Sequence, residues 1–329
     1  MKRFFTLVLF LIGTQLLLAQ SDLAIGQWRS HLPYQFGRYV TQSETTIYYA
    51  TDWSILTIDK EENAIDFIST VNGLSKTGVG IIKYHPPTET LLITYDEGII
   101  DLLSPNEIVT LTDIKNFVNL TIDKTINDIF VAADGKVYIA AGYGISVLNV
   151  DEQIFEFTTF SGVSINSVVQ QNGILYAATG EGIYFSALDN PVIQDFNSWN
   201  FLGTAYGLPD DYKSQAMTIW QGELYFDMDN KVYQLEGTSA KLAFDESLNS
   251  ITYLTAEDAN LLVGTSCLPN CDGELYRIKP DGTINTPQDN CVDRPLYAIE
   301  DAQGKVWFAD RFRGVRVAGS FASNCSKEI

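Results

Sequence analysis

The sequence has little of what most enzyme active sites are built from, with two histidines, four cysteines and three methionines in 329 residues. His31 and His85 could exchange protons near neutral pH, but neither has a nucleophile motif near it. The motifs G-x-S-x-G and H-E-x-x-H and the protein-kinase motifs do not occur. We interpret both histidines as surface or edge residues, and the sequence predicts a protein that is not an enzyme.

Long apolar runs are confined to the first twenty residues. Lys2 and Arg3 precede the apolar run from Phe4 to Ile12, and a second run ends at Gln20. This pattern predicts a secretory signal peptide over residues 1–20, since the runs are too short and wrongly flanked for a stable transmembrane helix. We therefore expect an exported chain, residues 21–329, without a membrane span after the signal is removed.

Basic residues are scarce, with 21 lysines and arginines against 41 aspartates and glutamates and a net charge of -20. Such a charge opposes nonspecific attraction to nucleic acid or to anionic lipid, so we expect no nucleic-acid partner. Capped helices with a 3.6-residue apolar stripe are also missing after the signal. The many Tyr, Phe, Val and Ile residues, with aromatics at 12%, favour strands instead.

Four cysteines in an exported chain predict two disulfides, and all three pairings remain open. They are Cys267, Cys271, Cys291 and Cys325. Their spacing, with no histidine nearby, does not match a zinc site. Asp227, Asp229 and Asn230 resemble calcium ligands but lack the later glycine and glutamate, so we interpret them as a solvated acidic turn. We expect no metal and no cofactor.

What the sequence does contain is a repeat. The stretch GILYAATGEGIYFS at 173–186 recurs as GKVYIAAGYGISVL at 135–148, GELYFDMDNKVYQL at 222–235 and GKVWFADRFRGVRV at 304–317, and weaker copies begin at 45, 89 and 259. One position anchors each of the seven copies: Tyr48, Leu92, Tyr138, Tyr176, Tyr225, Leu262 and Trp307. The period of about 43 residues is typical of propeller blades of four strands.

The repeat predicts an all-β fold, a single seven-bladed β-propeller over residues 21–329. Apolar segments before and after each copy complete four strands in most blades. Blade seven has three strands before the chain ends, whereas GQWRSHLPY at 26–34 is a strand without a blade. We therefore expect the N-terminal strand to complete blade seven and close the ring. Gly180 and Gly182 are interpreted as turn residues, because a phosphate loop needs a following helix.

A basic cluster stands out against the acidic background. Arg311, Arg313 and Arg316 lie beside Trp307 and Phe312, and arginine near aromatic rings suits sugar, phosphate or carboxylate groups. The alternative is a solvated turn with ordinary cross-strand packing. In a propeller the turns between second and third strands share one face with the loops between blades. That face would carry 72–76, 206–212, 267–271, 289–294 and 311–313.

Two stretches resemble the "regulator propeller" repeat, in which Gly-Leu-Pro or Gly-Leu-Ser leads into the first strand. They are NGLSKTGVGIIKYHPPTETLLITYDEGIIDLL at 72–103 and YGLPDDYKSQAMTIWQGELYFDMDNKVYQL at 206–235. The sequence IGQWRSHLPYQFGRYVTQSETTIYYATDWSILTIDKEE at 25–62 more specifically resembles the PorZ N-terminal propeller family of the type IX secretion system. The resemblance implies a non-catalytic accessory protein in the periplasm or at the outer-membrane surface. Its implied partners are the secretion sortase and an anionic lipopolysaccharide.

Members of this family also carry a second propeller and a β-sandwich, so we expect this chain to be either a fragment or a stand-alone remnant. Because the domain is acidic, any binding of an anionic glycan must be local, and the arginine cluster at 311–316 is the candidate. One alternative function is the periplasmic oligosaccharide-sensing propeller of a hybrid two-component regulator. Another is a polysaccharide lyase or hydrolase, which would need clustered acid and base groups that the repeat does not supply.

Overall fold

The computed structural model describes residues 34, 36–117, 122–245, 249–256, 259–266, 273–286, 292–318 and 326–327. Contacts divide the chain into residues 1–32 and 33–329, and every described residue belongs to the second unit. The predicted signal peptide, His31 and all four cysteines lie outside the described residues. The signal and the disulfides therefore stay predictions.

Seven four-stranded antiparallel sheets make up the described chain, and each sheet takes its strands in sequence order. Blades one to three contain β1 Gly37–Gln42, β2 Thr46–Thr51, β3 Ile55–Asp59, β4 Ile65–Ile68; β5 Val79–His85, β6 Thr90–Tyr95, β7 Ile99–Leu103, β8 Ile108–Leu111; and β9 Ile126–Val131, β10 Lys136–Ala141, β11 Gly144–Asn149, β12 Ile154–Phe160. Blades four and five contain β13 Ile165–Gln171, β14 Ile174–Thr179, β15 Gly182–Ala187, β16 Asn200–Phe201; and β17 Met217–Trp220, β18 Glu223–Met228, β19 Lys231–Glu236, β20 Ser239–Asp245. Blades six and seven contain β21 Ser250–Thr255, β22 Leu261–Ser266, β23 Leu275–Ile278, β24 Ile284–Asn285; and β25 Pro295–Glu300, β26 Val306–Asp310, β27 Gly314–Ala318, β28 Ser326–Lys327.

Helices in the described residues are single turns. One short α-helix, α1, spans Asp113–Asn116, and the 3-10 turns span Thr70–Asn72, Pro86–Thr88, Asp96–Gly98, Phe196–Ser198 and Thr204–Tyr206. No helix in this part of the chain is both long and apolar enough to cross a membrane.

The position of a strand within its blade decides its burial. All six residues of β6 are buried, as are all five of β26, which explains why second strands are almost continuously apolar. The seven anchor residues of the repeat each lie on the second strand of a different blade. Outer strands such as β20 are mostly exposed, and Leu242 on it is 54% exposed. Apolar packing is therefore concentrated between blades.

The hydrophobic core closes into a ring. It consists of seven clusters, and each cluster joins residues of two neighbouring blades. The cluster that joins the ends of the chain packs Ile47 and Tyr49 of blade one against Ile299 and Trp307 of blade seven. The predicted seven-bladed, all-β propeller is thus confirmed.

The strand that completes blade seven differs from the prediction. We expected residues 26–34 beside the third strand, but β28 pairs with β27 there, through Arg316 with Lys327 and Val317 with Ser326. Residues 26–33 lie outside the described part of the chain. The two ends of the ring instead meet through blade one itself, where Gln42 Nε2 donates to Glu300 O at 2.8 Å. The sequence could not show this, because a two-residue strand has no detectable period.

The turn between β14 and β15 explains one of the repeat glycines. Gly182 has φ +117°, a left-handed conformation, and a side chain there would meet the Phe201 ring. Thr179 Oγ1 donates to Gly182 O at 2.8 Å and fixes the turn. Gly180 lies in open space with an ordinary φ. The conformational requirement therefore falls on Gly182.

Candidate ligand-binding surface

The predicted basic cluster lies where blade seven meets blade one. The turn between β26 and β27 supplies Arg311, Phe312 and Arg313, and the loop before β25 supplies Arg294. Blade one adds side chains from the start of β1 and from the turn between β2 and β3. We name the whole set the arginine–aromatic surface: Phe36, Arg38, Asp52, Trp53, Asp293, Arg294, Arg311, Phe312, Arg313 and Arg316.

A buried carboxylate holds both blade-seven segments of this surface. Asp310 is fully buried, and its Oδ2 accepts the backbone N–H groups of Asp293 at 2.8 Å and Arg294 at 3.0 Å. Its Oδ1 accepts those of Phe312 and Arg313, each at 3.0 Å. Four charge-assisted hydrogen bonds to one side chain fix the turn and the loop relative to each other. Asp310 is therefore a positioning residue for the arginines.

Three of the five arginines form ion pairs with aspartates and remain partly exposed. Arg38 and Arg311 both bond Asp52, the latter at 3.5 Å, and Arg313 Nε lies 3.5 Å from Asp293. The Arg311 and Arg313 side chains are each 31% exposed. Ion pairs at this level of exposure are weak, typically below about 1 kcal/mol, so an incoming anion can compete for the arginines.

Aromatic rings orient two of the guanidinium groups. The Arg294 guanidinium carbon lies 5.3 Å from the centre of the Phe312 ring, and that of Arg311 lies 5.7 Å from the Phe36 ring. Phe312 is 51% exposed, and Trp53 is 45% exposed. With the buried Asp310 included, this surface and its support contain five arginines and three aspartates. The local net charge is therefore +2, on a protein whose total net charge is -20. The surface can therefore bind an anionic group and stack a ring beside it.

Most of the predicted site residues come together, with one correction. Arg311, Phe312 and Arg313 share the turn, and Arg316 Nε donates to Arg313 O at 3.2 Å. Trp307 does not belong to the surface. It is 2% exposed in the core between blades seven and one, and its Nε1 donates to Asp301 Oδ2 at 2.8 Å. Both faces of β26 are buried between blades, so this side chain packs in the core although the basic turn begins only four residues later.

Sequence reasoning missed the contribution of blade one. Phe36, Arg38 and Asp52 are distant in sequence from the cluster, and Asp52 lies 259 positions before Arg311. Ring closure was the available signal, since it brings the first blade against the last. The loop at 206–212, which we also expected on this face, has a structural role at its last residue. Tyr212 is buried there and donates to Leu202 O at 2.7 Å.

Two further interpretations need correction. His85 is buried rather than a surface residue; its Nε2 donates to Gly135 O of blade three at 2.8 Å, and its Nδ1 lies 2.7 Å from Thr88 Oγ1. Asp227 is not part of a solvated turn. It is 7% exposed, and its Oδ1 accepts the N–H groups of Gln215 at 2.6 Å and Ala216 at 2.8 Å. Burial raises the pKa of Asp227 to about 6.

Among the described residues, no three His, Cys, Asp or Glu side chains are grouped closely enough to hold a metal ion. Asp229 and Asn230 both have positive φ, 52° and 62°, and make the tight turn between β18 and β19. That pair is explained by turn geometry.

Part of this propeller is similar in sequence to a known protein family. Residues 47–200 match the family model described as the N-terminal β-propeller domain of PorZ, of the type IX secretion system. The predicted resemblance is confirmed. The matched region begins in β2 of blade one, spans blades two and three and ends at the start of β16 in blade four, and it includes Asp52 of the arginine–aromatic surface.

Solved structures share the fold. PorZ of Porphyromonas gingivalis, described as an essential bacterial surface component of the type IX secretion system, matches with a TM-score of 0.76 and 20% identity over 92% of this chain and 39% of its own. Two structures of the extracellular domain of BT4673 from B. thetaiotaomicron, described as a one-component and as a hybrid two-component system, match with TM-scores of 0.63 and 0.64. Both are 14% identical and cover 86% and 88% of this chain and 40% and 41% of their own. This chain thus spans about two fifths of their length. No curated protein matches it.

Proposed function

We propose that this propeller is a non-catalytic, exported binding and scaffold module of the type IX secretion system, placed in the periplasm or at the outer-membrane surface. The match of residues 47–200 to the PorZ N-terminal propeller supports the assignment to this system. The P. gingivalis relative in fold is described as a surface component. A role beside the secretion sortase, in delivering anionic lipopolysaccharide, is the specific form of this proposal.

The arginine–aromatic surface is the observation that carries the binding part of the proposal. Asp310 accepts the backbone N–H groups of Arg294 and Arg313, on either side of the exposed ring of Phe312. The backbone N–H of Arg311 donates to Arg294 O at 2.9 Å. Guanidinium groups bind phosphates and carboxylates in two-pronged geometry, and a sugar ring can stack on an exposed aromatic side chain. An anionic glycan offers both groups.

The test is the double variant Arg311→Ala with Arg313→Ala. We expect at least tenfold weaker binding of purified anionic lipopolysaccharide, because each charge-assisted hydrogen bond contributes about 1.5–3 kcal/mol and 1.4 kcal/mol is tenfold. The melting temperature should stay within a few degrees, since the ion pairs of both arginines are long and partly exposed.

A matched control removes two positive charges elsewhere. Lys136 pairs with Glu156, and Lys241 pairs with Glu236, at the outer parts of blades three and five. Lys136→Ala with Lys241→Ala should leave lipopolysaccharide binding within about threefold, apart from the long-range effect of charge. Equal weakening in both double variants, or no weakening in either, would remove the arginine–aromatic surface as the binding site.

A second candidate is the extracellular sensor propeller of a hybrid two-component regulator. The likeness in fold to the BT4673 extracellular domain favours it. Such a sensor requires further blades, a β-sandwich and a transmembrane helix. Sequencing the gene beyond the codon for Ile329 distinguishes the two: a transmembrane helix followed by kinase motifs supports the sensor, and a secretion sorting domain supports the PorZ-type module.

A further inference from the structure

The propeller encloses a central cavity that belongs to no site described above. Its volume is about 360 Å³, and its wall includes residues of the inner strands of all seven blades, from Tyr39 of β1 to Tyr297 of β25. Pockets that hold small molecules measure about 300–1,000 Å³. None of the residues of the arginine–aromatic surface lines it. The cavity is thus large enough for a small ligand and independent of that surface.

Bulges in the inner strands determine which side chains line the cavity. In six blades the register between the first and second strands shifts near the start of the first strand. Asn127, Asn166 and Thr252 occupy this position in blades three, four and six. A bulge changes the direction in which a side chain points. These three polar side chains therefore line the cavity.

Hydrogen bonds to the next blade hold two of these amides in place. Asn127 Nδ2 donates to Ile165 O at 2.8 Å, and Asn166 Nδ2 donates to Ser214 O at 2.9 Å. Gln215 continues the series in blade five as an exposed wall residue. Four consecutive blades therefore present amide or hydroxyl groups, which both donate and accept hydrogen bonds.

The opposite part of the wall is aromatic. Tyr39 and Tyr297, from blades one and seven, stack with ring centres 3.7 Å apart, and Tyr253 of blade six lies 5.4 Å from Tyr297. All three residues border the cavity, where Tyr297 is half-buried and Tyr39 and Tyr253 are 8% and 4% exposed. The cavity thus has a polar side and an aromatic side, on which Tyr297 offers the most accessible ring.

The charged residues of the wall balance each other. Lys83 of β5 and Asp128 of β9 are its charged side chains, counting only wall residues that the structure describes. Asp128 accepts from Ser167 Oγ at 2.6 Å and from the N–H of Ile129 at 2.8 Å. Burial raises the pKa of Asp128, and Lys83 counters that rise, so the two charges interact across neighbouring blades. The described wall thus carries one basic and one acidic side chain, which offers a charged ligand no excess of opposite charge.

We propose that the central cavity binds a neutral carbohydrate of one or two sugar rings. A pyranose has an apolar C–H face that stacks on aromatic rings and a rim of hydroxyl groups that pairs with amides, which matches the two sides of the wall. An apolar ligand would leave the amides of Asn127 and Asn166 facing hydrocarbon, which is costly. The site requires neither the arginine–aromatic surface nor a role in secretion.

The experiment titrates the full chain with neutral disaccharides and follows binding by calorimetry and by saturation-transfer NMR. Cellobiose, maltose and lactose are the probes, with digalacturonate as the charged and tetraglycine as the peptide comparison. Thr218→Trp fills the cavity, because Thr218 is a half-buried wall residue of β17, and Thr218→Val is its control of nearly equal volume. Gln215→Leu removes a wall amide without filling the space.

We expect at least one neutral disaccharide to bind more tightly than digalacturonate and tetraglycine. Its affinity should fall at least tenfold in Thr218→Trp and at least threefold in Gln215→Leu, and stay within threefold in Thr218→Val. Arg311→Ala with Arg313→Ala should not change it, which separates this proposal from the lipopolysaccharide site. The proposal is wrong if none of the three sugars binds, if tetraglycine or digalacturonate binds better, or if Gln215→Leu and a folded Thr218→Trp both bind like the unsubstituted protein.

Discussion

Replacing Asp310 with alanine is the most informative perturbation of the seam between blades seven and one. Its carboxylate accepts four backbone N–H groups, two from the loop before β25 and two from the turn after β26, at 2.8–3.0 Å. Asp310 itself has no solvent exposure. Alanine removes all four hydrogen bonds and releases both segments that carry the arginines.

The expected loss of stability follows from the burial of the acceptor. Hydrogen bonds to a charged group contribute about 1.5–3 kcal/mol each, so four would total about 6–12 kcal/mol if nothing compensated. The freed N–H groups lie in surface segments where water can bind them, and removing a buried charge also removes its desolvation cost. We therefore expect Asp310→Ala to lower the free energy of unfolding by about 3–5 kcal/mol, within the range for a broken buried network. Asp310→Asn keeps one oxygen acceptor but sets an NH₂ group against two donors, so it should lose about 2–4 kcal/mol.

Urea unfolding followed by tryptophan fluorescence measures these differences, with the transition midpoint and slope compared among variants. Asp281→Ala is the matched control. Asp281 is an exposed turn aspartate that accepts one N–H group, from Thr283 at 2.9 Å, so its replacement should barely shift the urea midpoint. If Asp310→Ala costs no more than Asp281→Ala, the carboxylate does not hold the seam together and its positioning role is refuted.

Two further predictions concern buried positions in blades five and six. Burial raises the pKa of Asp227 from 3.8 to about 6, so the native state keeps a proton that the unfolded chain releases between pH 4 and 6. The free energy of unfolding should then fall as pH rises through this window, by up to about 3 kcal/mol at 1.4 kcal/mol per pKa unit. In urea unfolding at several pH values, Asp227→Asn should reduce the dependence of this free energy on pH. An unchanged pH dependence in the variant contradicts the raised pKa of Asp227. A side chain at Gly264 would collide with the Tyr253 ring, so Gly264→Ala should lower the stability by about 1–3 kcal/mol, whereas Gly180→Ala, in open space, should be nearly neutral in the same melts. Equal melting of the two glycine variants would argue against that packing.

The repeat allowed the fold to be predicted because each blade buries its second strand in the same way. Residues such as Leu91, Leu92 and Ile93 pack on both faces, so the strand is apolar throughout and its recurrence is visible without an alignment. The spacing between copies then fixes the number of blades. The same strand is buried in every blade, so the same apolar pattern recurs in the sequence.

Polar residues buried by distant partners were not predictable in the same way. His85 is held by Gly135, 50 residues later, and Asp227 by backbone groups of the loop before its own blade. A local sequence pattern shows that a residue is polar and lies at the end of a strand, but it does not show which distant groups contact that residue in the folded chain. Both were therefore interpreted as exposed. Trp307 precedes a basic turn and was assigned to the binding surface, although both faces of its strand are buried between blades.

The location of the arginine–aromatic surface follows from the way a propeller closes. Six pairs of neighbouring blades follow one another directly in the chain. Blades seven and one come from opposite ends of it, and in the described residues they meet through contacts such as Gln42 with Glu300. Asp52 pairs with Arg311 across the same seam. A contact that both closes the ring and orients an arginine couples the stability of the fold to the geometry of the surface. Weakening the seam should therefore weaken anion binding before it unfolds the other blades, whereas damage to the Asp227 network in blade five should lower stability and leave binding unchanged.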